Sequence, residues 1–176
     1  CRLGQYCQLL SDAMDGQKCS MNWIVLDSPA VIGKKEFMTR LKALKGSRNL
    51  STAKTIRMVR KARKLMLRMD LLEEQCFFMA GYVRNPAELV ALRRNLFKEL
   101  GEAGSFKEAF RIMDCYEALT DRVRTRRKAD PVRLALTGEI YTCIEPFANH
   151  NIEETLMNMG VSFQKTMTLS WWAGYT

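Results

Sequence analysis

The sequence predicts an α/β fold organised around a parallel sheet, on three observations. The runs Trp23, Ile24, Val25, Leu26 and Val132, Leu134, Ala135, Leu136 are short and nearly all apolar, the pattern of strands covered on both faces. Towards the C-terminal end a strand, a short helix and another strand succeed one another within about forty residues, which makes a βαβ unit with a right-handed crossover. Between these regions lies a long stretch whose apolar residues recur at helical intervals.

The first element is a helix over residues 5–15, with Leu9, Leu10, Ala13 and Met14 at helical spacing and Gly16 as its terminator. The strand at 23–26 follows, closed by Asp27, Ser28 and Pro29, and then a loop containing Gly33. Residues 51–80 hold neither proline nor glycine, and Ile56, Val59, Met66, Met69 and Leu72 mark an apolar helical face opposite Arg57, Arg60, Lys61, Arg63, Lys64 and Arg68. Asn85, Pro86 and Glu88 read as cap, first helical position and capping-box acid of a helix to about Leu100. Ser105 and Glu108 repeat the capping box for a third helix carrying Phe106, Phe110, Met113 and Leu119. A strand at 132–136, a short helix begun by Asn151 and Glu154 and ended by Gly160, and a strand over 161–169 complete the order. The two C-terminal strands are expected to be parallel neighbours, with 23–26 in the same sheet. The organisation is therefore a Rossmann-like parallel sheet with a βαβ unit and a helical insert: residues 1–50 as the first α/β part, 51–128 as the insert, and 129–176 as the βαβ part of the same domain.

Composition narrows the class. Of 176 residues 47% are hydrophobic and 27% charged, which predicts a globular chain with a core of its own rather than a disordered tail. No apolar run approaches the roughly 20 residues needed to span a bilayer, so no membrane partner is expected. The chain opens on Cys1 and shows no leader pattern, and is read as an internal segment of a longer polypeptide. The net charge of +9 is concentrated: residues 34–68 hold 13 basic residues against the single acid Glu36. Such a block attracts polyanions or forms a solvated face. Few aromatic residues interleave with it, which makes nucleic acid an unlikely partner, because single-strand binding needs stacking platforms. Six cysteines at 1, 7, 19, 76, 115 and 143 contain no C-x-x-C pair and only His150 accompanies them, so no local zinc site is expected. Their low density fits a reducing, cytoplasmic setting, and Cys76 among Leu72, Phe77 and Phe78 reads as a small buried hydrophobe.

In open parallel sheets the functional crevice lies beyond the carboxyl ends of the strands. The loop over 137–151 is therefore the candidate cleft, and Glu139, Tyr141, Asn149 and Asn151 are its candidate cofactor-binding residues. The same residue types also suit local roles, Glu139 accepting backbone N–H bonds and the two asparagines serving turns and caps. Glu153 and Glu154 are explained as first-turn acids by the helix dipole alone. The dinucleotide fingerprint, the P-loop and the nucleophile elbow are absent, and His150 has no serine or cysteine at a matching spacing.

Residues 138–153 (GEIYTCIEPFANHNIE) resemble the G-E-I-Y-x-x-x-x-P-F-x-N-x-x-I-E motif of the 2-hydroxyacyl-CoA dehydratase and CoA-enzyme-activase-related family. Residues 1–6 (CRLGQY) resemble the cysteine end of its G-P-C-R-F-G-Q-Y element, with Leu3 in place of phenylalanine. Residues 169–172 (LSWW) and the stretch from Cys76 to Tyr82 are similar to its L-S-W-W and F-Y-L-R-G-Y segments. The resemblance implies a dehydratase-like subunit that holds a [4Fe-4S] cluster through cysteines and receives one electron from an ATP-dependent activator. In such proteins that electron permits loss of water from a 2-hydroxyacyl-CoA, so acyl-CoA is an implied ligand. Cys1, at the family's cysteine, is the one candidate metal ligand carried over; no catalytic residue is assigned. The competing expectation is a non-enzymatic CoA- or nucleotide-binding module whose basic block meets phosphate.

Overall fold

The computed structural model describes residues 3–17, 29–43, 50–125 and 130–171, and divides into two compact units, one reaching Arg57 and the other starting at Met58. The first contains α1 (Leu3–Gly16) and α2 (Pro29–Ala43). Gly33 interrupts α2 with φ 79°, ψ 153°, a conformation that costs glycine little, so the expected loop around Gly33 is a break between two helical turns. Leu41 and Thr55 are buried, and the Ser51 carbonyl accepts both the amide (3.0 Å) and the hydroxyl (3.1 Å) of Thr55.

The second unit is built on α3 (Thr52–Met79), α4 (Pro86–Glu102) and α5 (Phe106–Asp121). The order of cross-contacts fixes their directions. Arg68 meets Asp114 and Glu117 while Gln75 meets Asp121, so α3 and α5 run parallel. Glu73 meets Arg93 and Glu99 meets Tyr116, so α4 runs between them in the opposite sense. The capping signals act as read for α5: the Ser105 hydroxyl accepts from the Glu108 amide at 3.2 Å, and Glu108 reaches back to the Gly104 amide at 3.0 Å. Asn85 stands at the cap position of α4 without a side-chain cap bond, and Pro86 opens the helix.

Strands β1 (Arg133–Leu136) and β2 (Ser162–Lys165) are joined through α6 (Ile140–Ile144) and α7 (Ile152–Asn158) and pair in parallel, Arg133 opposite Ser162 and Leu136 opposite Lys165. The expected parallel pairing of the two C-terminal strands is thus present, with β2 ending earlier than residue 169. The expected Rossmann-like multi-strand sheet is not: the described residues are predominantly helical and hold a two-stranded sheet only. The physical reason lies in β1. Val132 is 64% and Leu134 43% exposed, so this run is not covered on both faces as its apolar residues suggested. An apolar run of four or five residues reports local preference and leaves its neighbours undetermined. The proposed strand at 23–26 lies outside the described residues.

The core forms where α3, α4, α7 and β2 converge. Phe77 stacks on Phe163 with ring centroids 4.6 Å apart, and Leu89, Val90, Ala80, Val83 and Met157 close around them. Leu72, Leu96, Met113 and Tyr116 form a second cluster between the three long helices. Cys76 is buried in the first cluster, as its neighbours implied. Among the described residues no helix is long and apolar enough to cross a membrane.

The chain leaves α3 through Gly81, where a Cβ would sit 2.5 Å from Pro131 Cβ and 2.9 Å from Ser162 Cβ. Proline cannot fold away, so Gly81→Ala separates α3 from β2 and is expected to cost about 1–3 kcal/mol by chemical denaturation.

Candidate functional site

Beyond the carboxyl ends of β1 and β2 the loops are tied together: the Thr166 amide (2.9 Å) and hydroxyl (3.2 Å) both donate to the Leu136 carbonyl. The 137–151 segment lies at this end. Glu139 caps α6, its carboxylate accepting from the amides of Tyr141 (2.8 Å) and Thr142 (3.3 Å). The loop's own carboxylate therefore uses the N–H groups that an anion would otherwise meet. Asn149 binds the Thr142 carbonyl through Nδ2 (3.1 Å) and accepts from the Ile152 amide through Oδ1 (3.3 Å). Asn151 makes no side-chain cap bond; it sits in the left-handed region at φ 55°, next to His150 at φ 56°. The structure thus brings Glu139, Tyr141, Asn149 and Asn151 into one turn. Glu139 and Asn149 organise that turn, while Tyr141 is half exposed and Phe147 is 87% exposed. Cys1 lies outside the described residues.

Beneath this turn is a set of charges that sequence reading did not single out. Glu153, in the first turn of α7, is buried and accepts from Arg93 Nη2 at 2.6 Å and from the Lys165 ammonium. Arg93 also donates through Nε to Glu73 at 2.6 Å, and its Nη1 lies 3.8 Å from Glu154. Its guanidinium stands over the rings of Phe77 (5.5 Å) and Phe97 (5.1 Å), and the Lys165 ammonium over Phe77 (5.9 Å). Two cations, Arg93 and Lys165, so share the three carboxylates Glu73, Glu153 and Glu154 beside an apolar surround, and among the described residues no buried side-chain polar atom lacks a partner. Burial pushes the Glu73 carboxyl above its ordinary range, against the opposing pull of Arg93. Hydrogen bonds from Arg94, at 3.0 and 3.1 Å from its Nε, hold Glu154 below the ordinary range.

Two thiols border the charges. Burial raises Cys76 to about 11, so it is protonated at neutral pH. Cys143 is also raised by burial, with Lys165 pulling the other way. The hollow bordered by Leu72, Cys76, Leu92 and Tyr116 has a cavity volume of about 10 Å³, room for about one water and far below the roughly 300–1,000 Å³ of small-molecule pockets. Among the described residues no group of three or more His, Cys, Asp or Glu side chains is placed to hold a metal. Cys7, Cys76, Cys115 and Cys143 lie on four different helices. Among the described residues these thiols are part of no such group. Only the position of Glu153 in a capping turn was visible in the sequence; its partners lie 12 and 60 residues away.

Compared with protein-family models, with curated proteins and with solved structures, the chain finds no match in any of the three.

Two outcomes follow for the charge set. Glu153→Ala leaves Arg93 and Lys165 buried without their shared carboxylate and is expected to cost about 3–5 kcal/mol in urea unfolding, the cost of breaking a buried pair. Glu154, with its folded pKa lowered, contributes stability that is complete above the unfolded value of about 4.3 and is lost as pH falls through the lower folded value. Wild type should therefore melt above Glu154→Gln by a near-constant margin well above the unfolded value of about 4.3, and that margin should shrink as pH falls below it, read by thermal melts across pH.

Proposed function

We propose that the chain is a segment of a 2-hydroxyacyl-CoA dehydratase-like or activase-related iron–sulfur protein that supports ATP-activated one-electron chemistry on a CoA thioester. The observation that carries this reading is the placement of the G-E-I-Y…P-F-x-N-x-x-I-E residues. They form much of the crossover between two parallel strands, leaving from the carboxyl end of β1. Glu139 and Asn149 fix the turn by hydrogen bonds to its own backbone, which leaves the exposed ring of Phe147 at the surface for an acyl-CoA or the activator protein. A [4Fe-4S] cluster, when bound, would supply the one-electron reduction. In this reading Cys1 is the one candidate ligand carried over, and the remaining ligands are not assigned to any other cysteine of this sequence.

The test is anaerobic iron–sulfur reconstitution of the full-length polypeptide as wild type and as Cys1→Ala, followed by iron counting and electron paramagnetic resonance. Loss of iron and an altered spectrum in Cys1→Ala are expected. Equal iron and an unchanged spectrum would remove Cys1 from the site. If the same protein then bound CoA with an affinity falling steeply with salt, the chain would instead be a CoA-binding module using its basic block.

A further inference from the structure

One face of α3 carries Arg60, Lys64, Leu67, Leu71, Glu74 and Phe78, at successive spacings of four, three, four, three and four residues. That alternation keeps all six on a single stripe about 27 Å long at 1.5 Å per residue. The stripe is open: Arg60 and Lys64 are exposed, Leu67 is 49%, Leu71 56% and Phe78 55% exposed, and Glu74 is half-buried with its Oε1 accepting from Gln164 Nε2 at 2.7 Å. Three large apolar side chains at the regular interval of a helix–helix seam form a ridge suited to another helix.

The charges along α3 identify the partner. On the stripe itself Arg60 and Lys64 stand at one end and Glu74 at the other, while Arg68 and Glu73 are engaged within the fold by Glu117 and Arg93 and Asp70 accepts the Ser170 amide. A parallel copy would set cations against cations. An antiparallel copy sets the basic end of each stripe against Glu74 of the other. The stripe is also symmetric about residue 69, so a twofold axis there opposes Leu67 to Leu71, Lys64 to Glu74 and Arg60 to the ring of Phe78, each contact occurring twice. An anionic lipid surface or a nucleic acid would meet the basic end but be repelled by the acidic one.

We propose that this face of α3 is a twofold self-association surface, and that its occupant is the same helix of a second copy, packed antiparallel. The surface is independent of the reading in the preceding subsection. It uses an apolar seam closed at each end by one ion pair and one cation–π contact.

Sedimentation equilibrium up to about 1 mM protein reads the association directly. Lys64→Glu and Glu74→Lys each place two like-charge contacts in the dimer and are expected to weaken it by about tenfold or more. The double variant, and equally a mixture of the two single variants, restores every pairing and should associate within about threefold of wild type. Circular dichroism of each variant checks that the helices remain. Because the mixture contains only the two single variants, its recovery separates an interface effect from loss of the Lys64 ammonium's contact with the Phe110 ring (5.7 Å) or of the Glu74 bond from Gln164. A wild-type chain monomeric throughout overturns the proposal. So does a dimer indifferent to the single substitutions, or one that neither the double variant nor the mixture restores. If Leu71→Glu instead lowers the melting temperature of a full-length protein that stays monomeric, another part of the same polypeptide covers the ridge and the proposal fails.

Discussion

A single carboxylate, Glu153, holds the second unit together at its most crowded point. It bridges Arg93 of α4 and Lys165 at the end of β2, and both cations lie against the ring of Phe77 on α3. Three elements distant in sequence thereby share one charge. Pairs of this kind repay their desolvation only when geometry and partners are complete. Here Glu73 on α3 and Glu154 on α7 bring Arg93's carboxylate partners to three, and the Phe77–Phe163 stack keeps water from the pair's apolar side. The positions of α7 and β2 on the helical bundle, and with them the turn over 137–151, depend on that arrangement.

The same arrangement bears on what the turn can do. Its backbone donors near α6 are already engaged by Glu139, and its left-handed pair His150 and Asn151 bends the chain sharply into α7. Left-handed backbone at two successive non-glycine residues is uncommon, and the bonds donated by the Ile152 amide to Asn149 Oδ1 and by the Asn151 amide to the Pro146 carbonyl hold it in place. The outcome is a rigid turn with aromatic side chains outward. It is better suited to contact with a partner surface than to enclosing a small ion.

Local signals in the sequence were read well where the chemistry is local. Ser105 with Glu108, Pro86 and Gly160, which takes φ 69°, behave as their residue types require. The parallel pairing of β1 with β2 followed from the length of the crossover. Sheet size did not, because Val132 and Leu134 look alike in a covered and an uncovered strand. The α2 helix was missed because Gly33 and Pro29 read as loop punctuation, although proline suits a first helical turn and glycine a break. Glu139 and Asn149 were identified, and so was their alternative role in the turn. Glu73, Arg93 and Lys165 were not, because an ion pair between residues 20 or 60 apart leaves no periodic trace. Glu153 was assigned to the helix dipole, which accounts for a first-turn acid but says nothing of its burial.

The Phe77–Phe163 stack also sets a timetable. The bundle of α3, α4 and α5 closes through contacts between neighbouring elements, which is the fast part of folding. Phe77 and Arg93 wait for Phe163 and Lys165, which follow the end of α5 at Asp121 by more than forty residues. On a ribosome adding residues at about 5–20 per second, that interval leaves an aromatic ring and a guanidinium uncovered for several seconds after the helices exist. The nascent chain is therefore most vulnerable to misassociation, and most in need of a chaperone's cover, after its helices have formed and before its short sheet is complete.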